Sequence, residues 1–238
     1  MSGLSNTNGP RWAAMDVGSA VPHRAPSLAE QIHDTLRSWI IAGDLAPGDL
    51  VSENDLARRM SVSRSPLREA VRRLQEEGLL SSSEARGFRV PPLTAGLVSQ
   101  VYGVRRALEG AAAEASAPFI TDDDVADQTV KLAACRQAMD RGDYKPFSES
   151  DIEFHNAFIQ HCANPMLLSH IERIRGQVQR IIVFAGQLPN HSERSAEEHA
   201  DILVAAQTRD PALLRAAMES HIAKVASRLV AHMEQHSA

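Results

Sequence analysis

Val62-Ser63-Arg64-Ser65-Pro66-Leu67-Arg68-Glu69-Ala70-Val71-Arg72-Arg73-Leu74 is the stretch whose reading decides the fold. Small polar residues and a proline stand where a helix begins. Leu67, Val71 and Leu74 then recur at helical spacing and mark one inward face. Six arginines fall between Arg58 and Arg73 against a single acid, Glu69. An apolar stripe backed by a basic face is the pattern of the second helix of a helix-turn-helix unit, the one that enters a DNA groove.

The flanking sequence supplies the rest of that unit. Ser27-Leu28-Ala29-Glu30 is a capping box, in which the hydroxyl takes an orphan amide and the carboxylate reaches back. Leu28, Ile32, Leu36, Trp39 and Ile40 follow at helical spacing, Gly43 ends the helix and Pro47-Gly48 turns the chain. Ser52-Glu53-Asn54-Asp55 opens a second helix. Ser65 is read as the cap of the third, with Pro66 at its first position, where the missing amide costs nothing. Gly78 stops it. Leu79-Leu80-Ser81-Ser82 and Gly87-Phe88-Arg89-Val90-Pro91 read as two short strands of a hairpin.

Three helices and a hairpin make a winged helix-turn-helix over residues 26–93. Residues 1–25, rich in Ser, Asn, Gly and Pro, are expected to be a disordered arm. After Pro91-Pro92, everything from 94 to 238 reads as helix. Val98, Val101, Val104, Leu108 and Ala112 form a stripe, and Thr121, Asn164 and Asp210 are caps. Further helices are expected from about Pro146 to Cys162, Ser195 to Thr208 and Pro211 to His236. The fold class is therefore mainly α, an N-terminal winged helix-turn-helix followed by an all-helical antiparallel bundle.

Bulk properties agree. Hydrophobic residues make up 43% but aromatics only 4%, so alanine and leucine carry the core, which favours close-packed helices. The net charge of -5 does not exclude DNA, because a basic face suffices. Two cysteines, Cys135 and Cys162, cannot build a disulfide scaffold. No apolar run is long enough to span a bilayer and no signal-peptide pattern opens the chain, so a cytoplasmic protein with no membrane partner is expected.

Within the recognition helix, Arg64 and Arg68 are four apart and share a face. A guanidinium can bond O6 and N7 of guanine together. Ser63 and Ser65 are short donors suited to base or phosphate contacts. Arg58, Arg59, Arg72 and Arg73 read as phosphate contacts or solvated surface. Arg86, Gly87 and Arg89 could set a wing in the minor groove, or Gly87 could simply serve the turn.

A second constellation lies in the bundle. Asp151 and His155 are one helical turn apart, His199 lies on a later helix and His221 on the last. Three imidazoles and a carboxylate from three helices could enclose a divalent transition metal; a surface Asp-His pair is the plainer alternative. His161, His170 and His191 are rivals, His191 chief among them. It falls in the Pro189-Asn190 loop, which favours His199.

The spans Ile40-Ile41-Ala42-Gly43-Asp44-Leu45-Ala46-Pro47-Gly48-Asp49-Leu50, Leu56-Ala57, Val62 through Ala70 and Glu77-Gly78-Leu79-Leu80 resemble the GntR family of bacterial transcription regulators. The resemblance implies DNA contacts by Ser63, Arg64, Ser65, Arg68 and Gly87. At the position of Asn54 that family often carries a DNA-contacting arginine, which this chain lacks. Arg105-Arg106-Ala107-Leu108-Glu109, Asp151-Ile152-Glu153-Phe154-His155, Asn164 and His221-Ile222 look like the helical FCD effector domain of the FadR subfamily. That resemblance implies Asp151, His155, His199 and His221 as ligands of a divalent metal (zinc, nickel or manganese). It also implies a small carboxylate effector near Arg105 and Asn164. Arg105 could equally be salt-bridged to Glu109, and Asn164 could be a helix cap.

The expected function is a ligand-responsive repressor. A homodimer would present two recognition helices to a near-palindromic double-stranded operator. The alternatives are a metal-dependent hydrolase and a DNA-binding dimer without an effector. No phosphate loop, Ser/His/Asp order or evident general base accompanies the His/Asp set.

Overall fold

The computed structural model describes residues 25–83 and 87–236. The expected disordered arm, apart from Ala25, lies outside the described residues, as does Arg86 at the wing tip.

Helix α1 (Leu28–Ala42) starts at the expected capping box: Glu30 N donates to Ser27 Oγ at 3.2 Å, and Ser27 N donates to Glu30 Oε2 at 2.6 Å. It buries Ile32, Leu36 and Ile40 against the third helix and ends at Gly43 in the left-handed region, φ 87°. Strand β1 (Leu50–Ser52) and helix α2 (Glu53–Arg59) follow. Helix α3 (Arg64–Glu76) begins two residues earlier than expected, with Ser63 rather than Ser65 at the cap. Val62 N donates to Ala57 O at 3.0 Å, which closes the turn early and puts Arg64 in helical geometry. Pro66 is thus the third helical residue, still inside the turn whose amides have no acceptor.

The wing holds three strands rather than two. Strands β2 (Ser81–Ser83) and β3 (Gly87–Arg89) form the hairpin, and β1 pairs antiparallel on the other side of β3, order β1-β3-β2. Leu79 and Leu80, expected in a strand, instead plug the small core beside Leu36, Leu67, Leu74, Phe88 and Val90.

The second domain comprises α4 (Ala95–Ser116), a 3-10 turn at Ala117–Phe119, α5 (Asp122–Met139), α6 (Lys145–Ile159), α7 (Pro165–Ala185), α8 (His191–Thr208) and α9 (Pro211–Gln235). Helix α4 runs along α9, and α5, α6 and α8 close the bundle. The α4 stripe departs from expectation. Val104 is 46% exposed, while Tyr102, Arg105 and Glu109 are buried. The helix is turned so that a polar set faces the bundle centre. Helix α8 also starts four residues early, because Asn190 takes a left-handed conformation (φ 56°) that lets His191 open the helix.

Helix α7 joins the two domains. Gln177 Nε2 donates to Glu77 O at 2.8 Å, at the end of α3. Gly176 leaves room for Leu79, whose Cδ1 would stand 2.7 Å from a Cβ there. Arg180 donates to the carbonyl of Pro91 in the linker.

A Cβ on Gly87 would lie 2.3 Å from the carbonyl oxygen of Val51. That oxygen belongs to paired backbone and cannot yield without breaking β1 from β3. Gly87→Ala is expected to destabilise the DNA-binding domain by about 1–3 kcal/mol, the usual cost of overpacking. Urea unfolding of the full chain, followed at the first transition, measures it; an unchanged midpoint would show that the wing relaxes freely.

Candidate nucleic-acid interface and candidate metal centre

The first residue of α3, Arg64, is exposed and carries no ion pair among the described residues. Ser63 precedes it, exposed and with no side-chain cap bond, so its hydroxyl is not committed to the helix. Ser65 is exposed on the next position. Arg68 sits one turn on, and its Nε donates to Glu53 Oε2 at 2.9 Å. The other arginines divide. Arg58 pairs with Asp55 at 2.7 Å, Arg72 with Glu76 at 2.8 Å and Arg73 with Glu69 at 2.7 Å. Arg59 and Arg89 are exposed with no ion pair among the described residues. Exposed pairs of this kind are worth about 0–1 kcal/mol, so a phosphate can displace the acid at little cost. Leu67, Val71 and Leu74 are buried, as their spacing requires. Gly87 belongs to the β1–β3 contact described above.

Asp151 and His155 on α6, His199 on α8 and His221 on α9 do converge. One ligand atom from each lies within 4.8 Å of all the others, and all four residues are buried. The surrounding acids orient the rings. The His155 Nδ1–H donates to Glu109 Oε2 at 2.6 Å, and the His221 Nδ1–H donates to Glu198 Oε2 at 2.9 Å. Each ring therefore turns the lone pair of Nε2 toward the cluster. The Nε2 atoms of His155 and His199 are buried with no hydrogen-bond partner. Phe154 stacks on the His199 ring at 3.9 Å, fixing its plane.

Charge is balanced by Arg105, only 1% exposed. Its Nε donates to Glu109 Oε1 at 2.9 Å and its Nη2 to Asp151 Oδ2 at 3.1 Å. The salt bridge to Glu109, one of the two readings of this residue, is present. Burial would raise the Asp151 carboxyl, but Arg105 foremost and then the imidazoles hold it well below the usual carboxylate range. Burial likewise works against Glu109, yet Arg105 and His155 bring it down to about 2. His221 is lowered to about 4, chiefly by burial, and burial also lowers His199. An ionised carboxylate, two imidazoles (His199 and His221) whose protonation burial disfavours, and buried Nε2 atoms without a hydrogen bond fit a divalent transition metal.

The remaining expectations fall elsewhere. Asn164 is exposed and caps α7, accepting from Leu167 N at 3.2 Å. His161 bonds Asp124 and His170 is exposed. His191 is the instructive case. It lies on α8 rather than in a loop, and lines a small chamber with Arg105, Asp151 and His221 without joining the four. Sequence reading missed Glu198 and the outer support it receives, an ion pair and hydrogen bonds from Arg228. The available signal was its position beside His199.

A winged helix with its basic helix exposed, joined to a helical bundle, defines a DNA-binding regulator. The family of bacterial regulatory proteins named gntR matches residues 28–90, and the FCD domain matches residues 100–224. The chain belongs to the GntR family of transcriptional regulators, in the group that carries an FCD domain. It is 30% identical to the HTH-type transcriptional regulator YdfH of Escherichia coli O6:H1, over 84% of this chain and 88% of that one. It is also 30% identical to the HTH-type transcriptional repressor RspR of Escherichia coli, over 82% and 86%. The solved structure of Escherichia coli McbR/YncC superposes with a TM-score of 0.69 at 24% identity, covering 89% of this chain and 99% of that one, and shows the same fold. Among the described residues, no helix is long and apolar enough to cross a membrane.

The shifted imidazoles set a pH dependence for the metal-free protein. His221 takes up its proton only near pH 4 in the fold, against 6.5 ordinarily, and burial lowers His191 to about 4 as well. Between those values the unfolded chain binds more protons, so stability falls as pH drops from about 6.5 to about 4. Glu109 and Glu198, both held to about 2 against 4.5 ordinarily, steepen the fall below about pH 4.5. Thermal midpoints measured from pH 8 to 3 in chelator should trace this slope. A flat profile between 6.5 and 4 would mean that the cluster is solvated.

Proposed function

We propose that this regulator is a repressor that senses a small carboxylate at a metal centre in its bundle. The observation that carries the reading is the pair of buried Nε2 atoms on His155 and His199 that have no hydrogen-bond partner among the described residues, in a cluster with Asp151 and His221. Asp151, His155, His199 and His221 would hold the ion, with zinc, nickel or manganese suited to the donor set. When bound, the ion supplies a positive charge to which a carboxylate can attach. Arg105 is the second anchor. Among the described residues its Nη1 has the Tyr102 hydroxyl alone, at 3.4 Å, and so retains donor capacity for an incoming carboxylate. Glu109 and Glu198 keep the His155 and His221 rings in register, and Asn164 caps α7.

At the other end, Arg64 and Arg68 read base edges from the start of α3 while Ser63, Ser65 and Arg58 contact phosphate or bases. Gly87 brings the wing close to the duplex. A homodimer in the bacterial cytoplasm would place two such helices on a near-palindromic operator. Effector and operator must then alter each other's affinity by the same factor.

The reading is tested at both ends. Arg64→Ala should weaken binding to the operator by roughly 5- to 150-fold, corresponding to about 1–3 kcal/mol per bidentate contact, and leave random duplex nearly unaffected. Footprinting on the chain's own upstream region locates the site; equal losses on both duplexes would make Arg64 a phosphate contact only. His221→Ala should abolish stoichiometric metal by elemental analysis. Glu198→Gln, which retains shape but not charge, should weaken metal binding by about 10- to 100-fold. Full metal content in His221→Ala would end the assignment.

A further inference from the structure

We infer that Arg180 is a release latch between the two domains: a guanidinium buried without a counter-charge, it holds the linker in a contact that its own charge keeps easy to break. The inference goes beyond the sensing reading above and does not depend on a metal or a carboxylate in the bundle.

Helix α7 grips the DNA-binding domain by its backbone at two points. Gln177 Nε2 donates to Glu77 O at 2.8 Å, and Arg180 Nη2 donates to Pro91 O. The two side chains are three residues apart and share one face of the helix. The carbonyl that Arg180 holds is itself well anchored. Val90, just before it, donates to Asp49 O at 3.0 Å and accepts from Gly48 N at 2.8 Å. The ring of Pro91 fixes one backbone angle and the ring of Pro92 another. A grip on Pro91 is therefore a grip on the root of the wing.

The two grips differ in chemistry. Gln177 offers a neutral amide to a neutral carbonyl. Arg180 brings a full charge to the same kind of acceptor, although only 6% of it is exposed. Its Nε is buried with no hydrogen-bond partner. Among the described residues no carboxylate pairs with it, and burial works against its charge unopposed. Arg105, buried as deeply, has Glu109 and Asp151 to balance it. One neutral carbonyl does not make up for the water that a guanidinium gives up on burial.

Parting the linker from α7 returns that charge to water. The contact at Pro91 thus gains less than an uncharged donor of similar reach would gain there. The balance between joined and parted domains is left close to even, so operator or bundle ligand can tip it with a small difference in affinity for the two arrangements. A rigid joint would have no use for a charge at this point.

The test is amide hydrogen exchange on the full chain, read in peptides that contain Leu93 and Thr94, the first amides after the two prolines. Arg180→Gln removes the charge and keeps a donor for Pro91 O. Exchange there should slow roughly tenfold, because an unbalanced buried charge costs more than a neutral group. Exchange at the parent rate or faster would make Arg180 an ordinary clamp and overturn the inference. So would failure of Arg180→Gln to fold, since the charge would then support the structure rather than weaken a contact in it. Gln177→Leu, which removes the neutral grip, should instead speed exchange in the same peptides. No change in that variant would mean that α7 does not hold the domain in solution, which overturns the latch as well.

Discussion

A guanidinium buried at the centre of a helical bundle is the constraint around which the second domain is arranged. Arg105 cannot shed its proton, and an isolated charge in such a setting would cost many kcal/mol. The bundle answers with two carboxylates, Glu109 on the same helix and Asp151 on α6. Those acids remain ionised because the arginine is there. Glu109 in turn fixes the His155 ring, and Asp151 faces His199. Removing Arg105 would leave two buried acids facing each other, so the residue that most resembles a ligand anchor is also the one that assembles the site.

The DNA-facing surface works in the opposite electrostatic regime. Its arginines are exposed and most are lightly tied to neighbouring acids in solvent, where each pair is worth little. Such a surface exchanges an internal partner for a phosphate with small loss, and salt should govern its affinity. Among the described residues, Arg64 differs in having no acid to give up. One chain thus holds two populations of arginine, one locked by burial and one left exchangeable by exposure.

Much of this was legible in the sequence because short-range rules dominate helices and their ends. The capping box at Ser27 and Glu30, the stop at Gly78 and the core face of Leu67, Val71 and Leu74 all depend on residues within a turn or two of each other. The convergence of Asp151, His155, His199 and His221 was expected from the family resemblance, since the one-turn spacing of Asp151 and His155 alone left a surface pair open. What escaped depended on tertiary partners. Strand β1 is three residues long and exists because β3 lies beside it. The α4 stripe was read through Val104, although the interior accepts Tyr102, Arg105 and Glu109, since polar groups are welcome there only when their partners arrive, as Asp151 and His155 do from α6. His191 joins α8 because Asn190 adopts a left-handed conformation, which no apolar spacing announces. Glu198 orients a ring from another helix, a role invisible until α8 and α9 are side by side.

The amide that α7 extends to the backbone of the other domain has a consequence for modularity. Gln177 recognises a main-chain carbonyl at the end of α3, in a recess that Gly78 leaves open; a Cβ there would meet the amide nitrogen at 2.4 Å. The two halves of the chain are thus fitted to each other at a seam rather than strung on a tether. A reading head transplanted from a cousin whose corresponding turn carries a bulkier residue would stay attached and could still grip its own sequence, but the helical bundle would no longer be in gear with it.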